Sequence, residues 1–517
     1  MCDFTHSILK IKQAQGVRES DIPGKVGAAG ERPKCRSGGR FMPWQLSIAI
    51  DRNRDESLSR QIQQAIRRRI AEGSLEPGVR LPSTRQLSSD LGVSRSVTVE
   101  AYEQLTAEGF LASTPGSGTR VTGSARGPGS ASPLTASDAG DDGGPVARWD
   151  LRPGQIDPGA FPRGEWSRCY RRAIDRAGPV ELNYPHLNGL SALRSALACY
   201  LGRVRALRTD PGNIIVTSGF AQGLALLCEA LPQLGLRRLA VEDPGHDAQR
   251  RFITAAGLRV VPVPVDDEGI DVAHLRSSGA RAVLVTPAHQ FPTGVPLSAA
   301  RRQELVRWAE EVDGIVIEDD YDAEFWFEPT ERPGAVQALA PDRVVYAGTA
   351  SKMLFPGLRL GWLVLPSRLL RLLCQVRARR DLGTDTLSQS AFAEMIDSGM
   401  LDRHLRRARQ RYRDNRRALA QAVELYLPSA RLIGVGAGLH AYLRLAPPLD
   451  ESELVAAAAR RSVLVQGAAR YWFDPAGRPP GLVVNYAAVR PDGLAESIFA
   501  LADAADEQRR VQPARRT

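Results

Sequence analysis

A two-part chain, a small helical module followed by a large α/β domain, is the architecture this 517-residue sequence predicts. Three observations carry that expectation. Residues 44–121 show helical periods and then a short hairpin pattern. Residues 122–148 are almost entirely Gly, Ser, Ala, Pro, Thr and Asp, a composition that buries no core and reads as a flexible linker. From Trp149 to about Asp506, short β-branched runs alternate with helical stretches, the pattern of a mostly parallel or mixed sheet covered by helices. The chain is also too long for a single core.

The ends read differently. Residues 1–40 carry eight Lys or Arg against four Asp or Glu amid glycines, so residues 1–43 are expected to be a disordered basic tail, and residues 507–517 a second tail. There is no run of about 18 apolar residues and no apolar leader before a small-residue cleavage site, so neither a membrane span nor a signal peptide is expected. The six cysteines are scattered and no His cluster has metal spacing, which reads as reduced thiols, no metal and a cytoplasmic protein. The net charge of +10 permits an anionic partner without requiring one.

In the first module, Ile62, Ala65, Ile66 and Ile70 fall on one helical face that ends near Gly73. A second helix is expected after Pro82, capped by Ser83, and a third after the Gly92–Val93 turn, capped by Ser94. This helix, short turn, helix spacing suits a reading helix in a DNA major groove, and GFLASTPGSGTRV adds a β-hairpin wing. Residues 41–121 hold ten Arg and nine acids, so DNA binding there depends on where the arginines lie rather than on bulk charge. Arg85, Ser94, Arg95, Ser96 and Thr98 stand at helix starts, where hydroxyls and guanidiniums meet phosphates and base edges. With its G-x-L-x-P-G-x-x-L-P-S-x-R, L-G-V-S-R and G-S-G-T signatures, this segment resembles the winged helix of GntR-type transcription regulators over its whole length.

In the large domain the chemistry is expected at strand ends. NIIVTSGFAQGL is a strand, a Thr217-Ser218-Gly219 turn and a helix start, suited to a phosphate. GIVIEDDYDAEF ends in acids, one of which can face a protonated ring nitrogen. Thirty-three residues after Asp319, Lys352 follows the strand RVVYAGT, where burial and the nearby Arg359 favour a partly neutral amine. Phosphate anchor, acid and lysine together are the parts that hold pyridoxal phosphate.

Residues 149–505 resemble fold-type I aminotransferases, and the order winged helix, linker, aminotransferase-like domain resembles the MocR/GabR class of regulators. The motifs are TSGFAQGL, EDPGH, TPAHQFPTG, VIEDDYDAEF and GTASKMLFPGLRLG. The resemblance implies pyridoxal phosphate as cofactor, Lys352 as its Schiff-base (aldimine) lysine, Asp319 at the pyridine nitrogen and Tyr321 at the ring hydroxyl. It implies Ser218, Gly219, Ser351 and Arg359 at the phosphate, with Arg359 alternatively at a ligand carboxylate, and Gln222 as a further anchor. His246 stands where relatives carry a stacking aromatic, Phe291 where aminotransferases have an asparagine, and Asn485 where they keep an arginine, a role Arg470 could take instead. The basic stretch 400–417, with eight arginines, reads as a solvated helix partly paired to Asp402 and Asp414. The expected function is a homodimeric, DNA-binding transcription regulator that senses pyridoxal phosphate itself or a small amino compound. The alternative is an active aminotransferase with an accessory DNA module.

Overall fold

The computed structural model describes residues 48–511, apart from 53, 55, 115–117, 123–146, 329–331 and 435. The expected basic tail up to residue 43, most of the expected linker and residues 512–517 lie outside the described residues. The chain divides into two compact units, residues 1–141 and 142–517.

The first unit contains three helices, α1 (Leu58–Ala71), α2 (Thr84–Leu91) and α3 (Arg95–Ala107), and an antiparallel hairpin, β1 (Leu111–Thr114) with β2 (Gly118–Val121). Its core is the periodic apolar set: Ile62, Ile66, Leu87, Ala101 and Leu105 are fully buried. Ser83 caps α2 by accepting from the Gln86 amide at 3.2 Å, and Gly92 ends it with φ of 63°, a conformation that glycine adopts without strain. Ser94 occupies the cap position of α3, but its hydroxyl makes no cap bond and pairs with Ser96 Oγ at 2.8 Å instead.

The second unit is built on an eight-stranded mixed sheet in the order β4-β11-β10-β9-β8-β5-β6-β7, preceded in sequence by the short strand β3 (Trp149–Asp150). Its strands are β4 (Ile214–Thr217), β5 (Arg238–Asp243), β6 (Arg259–Asp266), β7 (Gly269–Ile270), β8 (Ala282–Val285), β9 (Ile315–Asp320), β10 (Val344–Thr349) and β11 (Gly361–Val364). The pairs β10–β9, β9–β8, β8–β5 and β5–β6 are parallel, while β11 runs antiparallel to both β4 and β10. Thr217, Asp243, Val285, Asp320 and Thr349 therefore end their strands at one edge of the sheet. Most of these strands are buried along their length, which explains their near-continuous Val and Ile runs. Beyond them, β12 (Arg431–Ile433), β13 (His440–Arg444), β14 (Val463–Leu464), β15 (Gln466–Gly467) and β16 (Gly481–Asn485) follow; all but β14, which pairs with β3, form a four-stranded antiparallel sheet.

Two boundaries shift from expectation. The last helix runs Pro491–Val511, past the expected end of order at Asp506. Arg148, expected in the linker, pairs with Glu496 at 2.7 Å and stacks on Trp149 at 4.3 Å. The basic stretch lies in the helix Met400–Tyr426. There Arg407 pairs with Glu165 and Arg416 with Glu328, while Asp402 turns to Arg203 at 2.8 Å rather than to its own helix. Among the described residues, no helix is long and apolar enough to cross a membrane.

The end of β9 is tied down by one buried ion pair: Arg205 Nε donates to Asp320 Oδ2 at 2.6 Å, and Arg205 Nη1 to the Pro333 carbonyl at 2.8 Å. Both residues are buried. Removing one partner strands the other charge without solvent. Arg205→Met is expected to destabilise the large unit by about 3–5 kcal/mol, measured by urea denaturation. Arg205→Met with Asp320→Leu should recover most of that loss; equal loss in both variants would contradict the assignment.

Candidate functional site

Side chains along a strand point alternately to opposite faces, and this decides the roles of the acids in VIEDDYD. Glu318 and Asp320 share one face of β9. Glu318 accepts from the Val336 and Gln337 amides, each at 3.0 Å, and Asp320 takes Arg205. Asp319 faces the other way and lines a cavity of about 610 Å³ at the sheet edge. Its recorded hydrogen-bond partner is neutral: Gln249 Nε2 donates to Asp319 Oδ2 at 3.0 Å. Burial pushes its carboxyl up to about 8, against the Gln249 bond.

Lys352 lies one strand away, just beyond β10, whose Ala347 is in register with Asp319. Its Nζ lines the same cavity and donates to the Gly154 carbonyl at 2.8 Å. Burial lowers its pKa, with Asp322 and Asp319 opposing. The Gly154 loop is held by Asn485, whose Nδ2 donates to the carbonyls of Arg152 and Gln155 at 3.2 and 2.9 Å. Asn485 thus anchors the backbone that receives the lysine.

At the end of β4, Gly219 has φ of 84°, and a Cβ there would come within 3.2 Å of the Arg359 guanidinium. Arg359 itself adopts φ of 51° and donates from Nη2 to the Ser218 carbonyl at 2.8 Å. Bare backbone, the start of the helix Phe220–Ala230 and an exposed guanidinium form a concave anion cradle, and Phe220, Ala221, Ser351 and Arg359 line the cavity. Ser351 Oγ is 2.9 Å from Thr349 Oγ1. Gln222 is placed otherwise than as a direct anchor. Its Oε1 accepts from the Ser218 amide at 2.6 Å and its Nε2 donates to Asp381 at 2.5 Å, so it braces the turn and removes one amide from ligand contact.

The aromatic positions also meet. His246 and Phe291 line the cavity with ring centroids 5.1 Å apart and planes 31° apart. Burial pulls the His246 pKa down, with the adjacent Asp247 opposing, which favours the neutral ring. Tyr321 donates its hydroxyl to the His289 carbonyl at 2.9 Å and lines the cavity with its ring. Arg470 reaches the cavity but is held by Asp247 at 2.6 Å and Gln466 at 2.9 Å. The cavity fits pyridoxal phosphate: it joins an anion cradle, a lysine with depressed pKa and a buried acid whose recorded partner is a neutral amide.

Sequence reasoning missed Gln249, Gly154 and the buried Glu242. Glu242 accepts from Thr286 Oγ1 at 2.6 Å and is pushed up to about 7 by burial. No spacing links these residues, because Gln249 lies in the helix Asp247–Ala255, Glu242 in β5 and Gly154 in the segment after β3. The Glu in EDPGH, at the end of a buried strand, was the one detectable sign.

In the first unit Arg85, Ser94, Arg95 and Ser96 are exposed on the α2–α3 face. Thr98 is the correction: it is fully buried, and its hydroxyl donates to the carbonyls of Thr84 at 3.0 Å and Arg95 at 2.9 Å. It clamps α2 to α3 rather than facing outward.

Comparison with known proteins agrees with both units. Residues 162–491 match the family model described as aminotransferase class I and II, and residues 58–121 match that of bacterial regulatory proteins, gntR family. The chain is 34% identical over 460 residues to the HTH-type pyridoxine biosynthesis transcriptional regulator PdxR of Corynebacterium glutamicum, covering 89% of this chain and 98% of that one. It is 30% identical over 475 residues to the probable rhizopine catabolism regulatory protein MocR of Rhizobium meliloti, covering 88% and 95% respectively. Among solved structures it resembles a multiple substrate aminotransferase from Thermococcus profundus, with a TM-score of 0.65 and 23% identity over 71% of this chain and 93% of that one, a likeness of fold. The Pyrococcus horikoshii kynurenine aminotransferase gives a TM-score of 0.63 and 26% identity, over 69% and 90%. With a gntR-type helix-turn-helix ahead of a class I and II aminotransferase domain, this chain belongs to the MocR-like family of HTH-type transcriptional regulators.

Proposed function

We propose that this protein is a cytoplasmic transcription regulator whose large unit binds pyridoxal phosphate and uses it to sense the cofactor itself, a small amino compound, or both. The observation that carries this reading is Lys352, with its lowered pKa, one strand from a buried acid whose recorded partner is a neutral amide. Pyridoxal phosphate, when bound, supplies an aldehyde that condenses reversibly with amines and a ring nitrogen that attracts a carboxylate. Lys352 would offer the amine, Asp319 would face the ring nitrogen, and Tyr321 would lie at the ring hydroxyl. Gly219, Arg359 and Ser351 would hold the phosphate, while His246 would cover the ring. The Gly154 carbonyl orients the Lys352 amine, and Asn485 keeps that carbonyl in place.

Sensing is favoured over turnover by Asn485. Its amide is used by two backbone carbonyls, so it offers no cation for a substrate carboxylate. The likeness to a regulator named for pyridoxine biosynthesis supports pyridoxal phosphate as a signal. A homodimer is proposed from the exposed apolar run Ile174, Val180, Leu182 and Tyr184, of which Leu182 is 69% and Tyr184 85% exposed. Two copies would present two reading helices to two half-sites.

Titration with pyridoxal phosphate should give a visible absorption band that Lys352→Ala abolishes. Because the Lys352 pKa is lowered, the neutral amine accumulates as pH rises through a value below the usual lysine value of about 10.4. The rate of band formation should therefore climb and level off below that pH; an identical band in Lys352→Ala would refute the site.

Asp319 gives an independent test. Its folded pKa, about 8, exceeds the unfolded value of about 3.9, so its neutral form favours folding below that value and the benefit fades as pH rises toward 8. Asp319→Asn should raise the thermal midpoint of cofactor-free protein at pH 8, by roughly 2–4 °C per kcal/mol recovered. The same change should weaken pyridoxal phosphate binding. A lowered midpoint at pH 8 would count against the assignment.

For DNA, gel shifts on the region upstream of the protein's own gene, with and without pyridoxal phosphate and amines, test the regulator reading. Arg85→Ala and Arg95→Ala should each weaken binding about 10-fold, and each lost phosphate contact should flatten the salt dependence by about one unit of slope. Thr98→Val should cost about 1 kcal/mol of stability instead. Light scattering should read twice the 56.2 kDa chain mass. Steady keto-acid production without any DNA binding would support the aminotransferase alternative.

A further inference from the structure

Three buried side chains beside the cavity hold no part of the ligand in the reading above. His289 follows β8, Asp322 follows β9 and His440 opens β13; they are 1%, 1% and 4% exposed. Each offers one ligand-type atom, and these atoms lie within 4.8 Å of one another. Separations of 33 and 118 residues leave no local spacing to mark the group in sequence.

The hydrogen bonding of the two rings is the telling feature. His289 Nε2 is 3.2 Å from the Gly434 carbonyl oxygen, and its Nδ1 is 3.1 Å from Asp322 Oδ2. A carbonyl and a carboxylate both only accept: a proton on Nε2 serves Gly434 and leaves the Nδ1 lone pair facing Asp322, whereas a proton on Nδ1 serves Asp322 and leaves the Nε2 lone pair facing Gly434. Either neutral tautomer therefore sets two acceptors against each other, and a cation beside Nδ1 with the proton on Nε2, whether a second proton or a metal ion, relieves both contacts. His440 repeats the arrangement: it bonds the Pro292 carbonyl, and its Nε2 is buried without a hydrogen-bond partner. Metal-binding histidines characteristically donate the far ring N–H to a backbone carbonyl, which fixes the tautomer and leaves the other nitrogen for the ion. A proton on His289 would satisfy the His289–Asp322 pair and leave His440 Nε2 unpartnered. One divalent cation satisfies all three.

The surroundings hold the group in place. A Cβ at Gly438 would collide with the His289 ring and with Asp322, and one at Gly294 would come within 2.9 Å of His289 Nε2. The bare backbone therefore closes on the ring and limits its rotation. Two ligands of one tetrahedral zinc ion stand about 3.3 Å apart, given bonds of about 2.0–2.1 Å. The His289–Asp322 pair already has about that spacing at 3.1 Å, and the His440 ligand atom lies within 4.8 Å of both.

We propose that His289, Asp322 and His440 form a site for a divalent transition-metal ion of the Zn²⁺ type, bound by two imidazoles and one carboxylate. Its fourth position opens to the cavity that Asp322 and His440 line. The Tyr321 hydroxyl, 3.2 Å from His289 Nδ1, adjoins the ion.

The test uses full-length protein stripped with a chelator, dialysed and titrated with Zn²⁺, read by metal content and by the thermal midpoint. Co²⁺ serves as a spectroscopic substitute. The expected result is about one Zn²⁺ per chain, a midpoint raised by the metal, and a Co²⁺ absorption typical of nitrogen and oxygen ligands. Asp322→Asn, His440→Ala and the closer mimic His440→Gln should each weaken Zn²⁺ by about 10-fold or more. His274→Ala, which alters an exposed His–Asp pair, should leave it unchanged. Absence of stoichiometric Zn²⁺ in the wild-type protein overturns the proposal. So does binding that survives in Asp322→Asn and His440→Gln, or that follows His274.

Discussion

The large unit is organised around one constraint: several carboxylates are buried at a single edge of the sheet, and each must be neutralised where it stands. The solutions differ. Glu318 receives two backbone amides, Asp320 receives Arg205, Asp322 faces His289, and Glu242 receives Thr286. Asp319 is met by a single neutral side-chain amide, whereas Glu318 and Glu242 each receive two or more donors and Asp320 receives a guanidinium. On the proposed reading, that inequality is what leaves Asp319 for a ligand while the other acids hold the fold. Its origin is the two-residue period of β9, which sends Asp319 to the opposite face from its neighbours.

The lysine is subject to the same economy of partners. Lys352 receives a carbonyl rather than a carboxylate, so burial is not offset by close ion pairing and its pKa falls. The carbonyl belongs to a loop fixed by Asn485, which ties the amine to β16 and to the segment that follows β3. An arginine in place of Asn485 would put a cation there and leave the loop without its two amide bonds. The residue that departs from the aminotransferase pattern therefore has a structural task in this chain.

Much of this was legible in the sequence, and the failures have definite causes. The β-branched runs of the large domain, such as NIIVT, RLAVED, RAVLV, GIVIEDD and RVVYAGT, are strands, and the apolar period of residues 62–70 is the buried face of α1. Thr98 was misread because helix-start position and a polar side chain resemble a surface contact, whereas the α2–α3 crossing buries it. The position of Gln222, one turn into a helix, does not reveal that its amide folds back on Ser218. Asp402 was matched to its own helix, but the acid lies closer to Arg203 of another element.

By itself the sequence determined the alternation of strands and helices, the helix-turn-helix module and the order of the polar motifs, because these depend on periodicity and on residues near one another along the chain. Only the tertiary structure decided which acid of VIEDDYD faces the cavity, what receives the Lys352 amine, and that His289, Asp322 and His440 meet. Those outcomes depend on which way a side chain points and on loops brought together from distant strand ends. Neither the pleat direction nor loop proximity is encoded in local spacing.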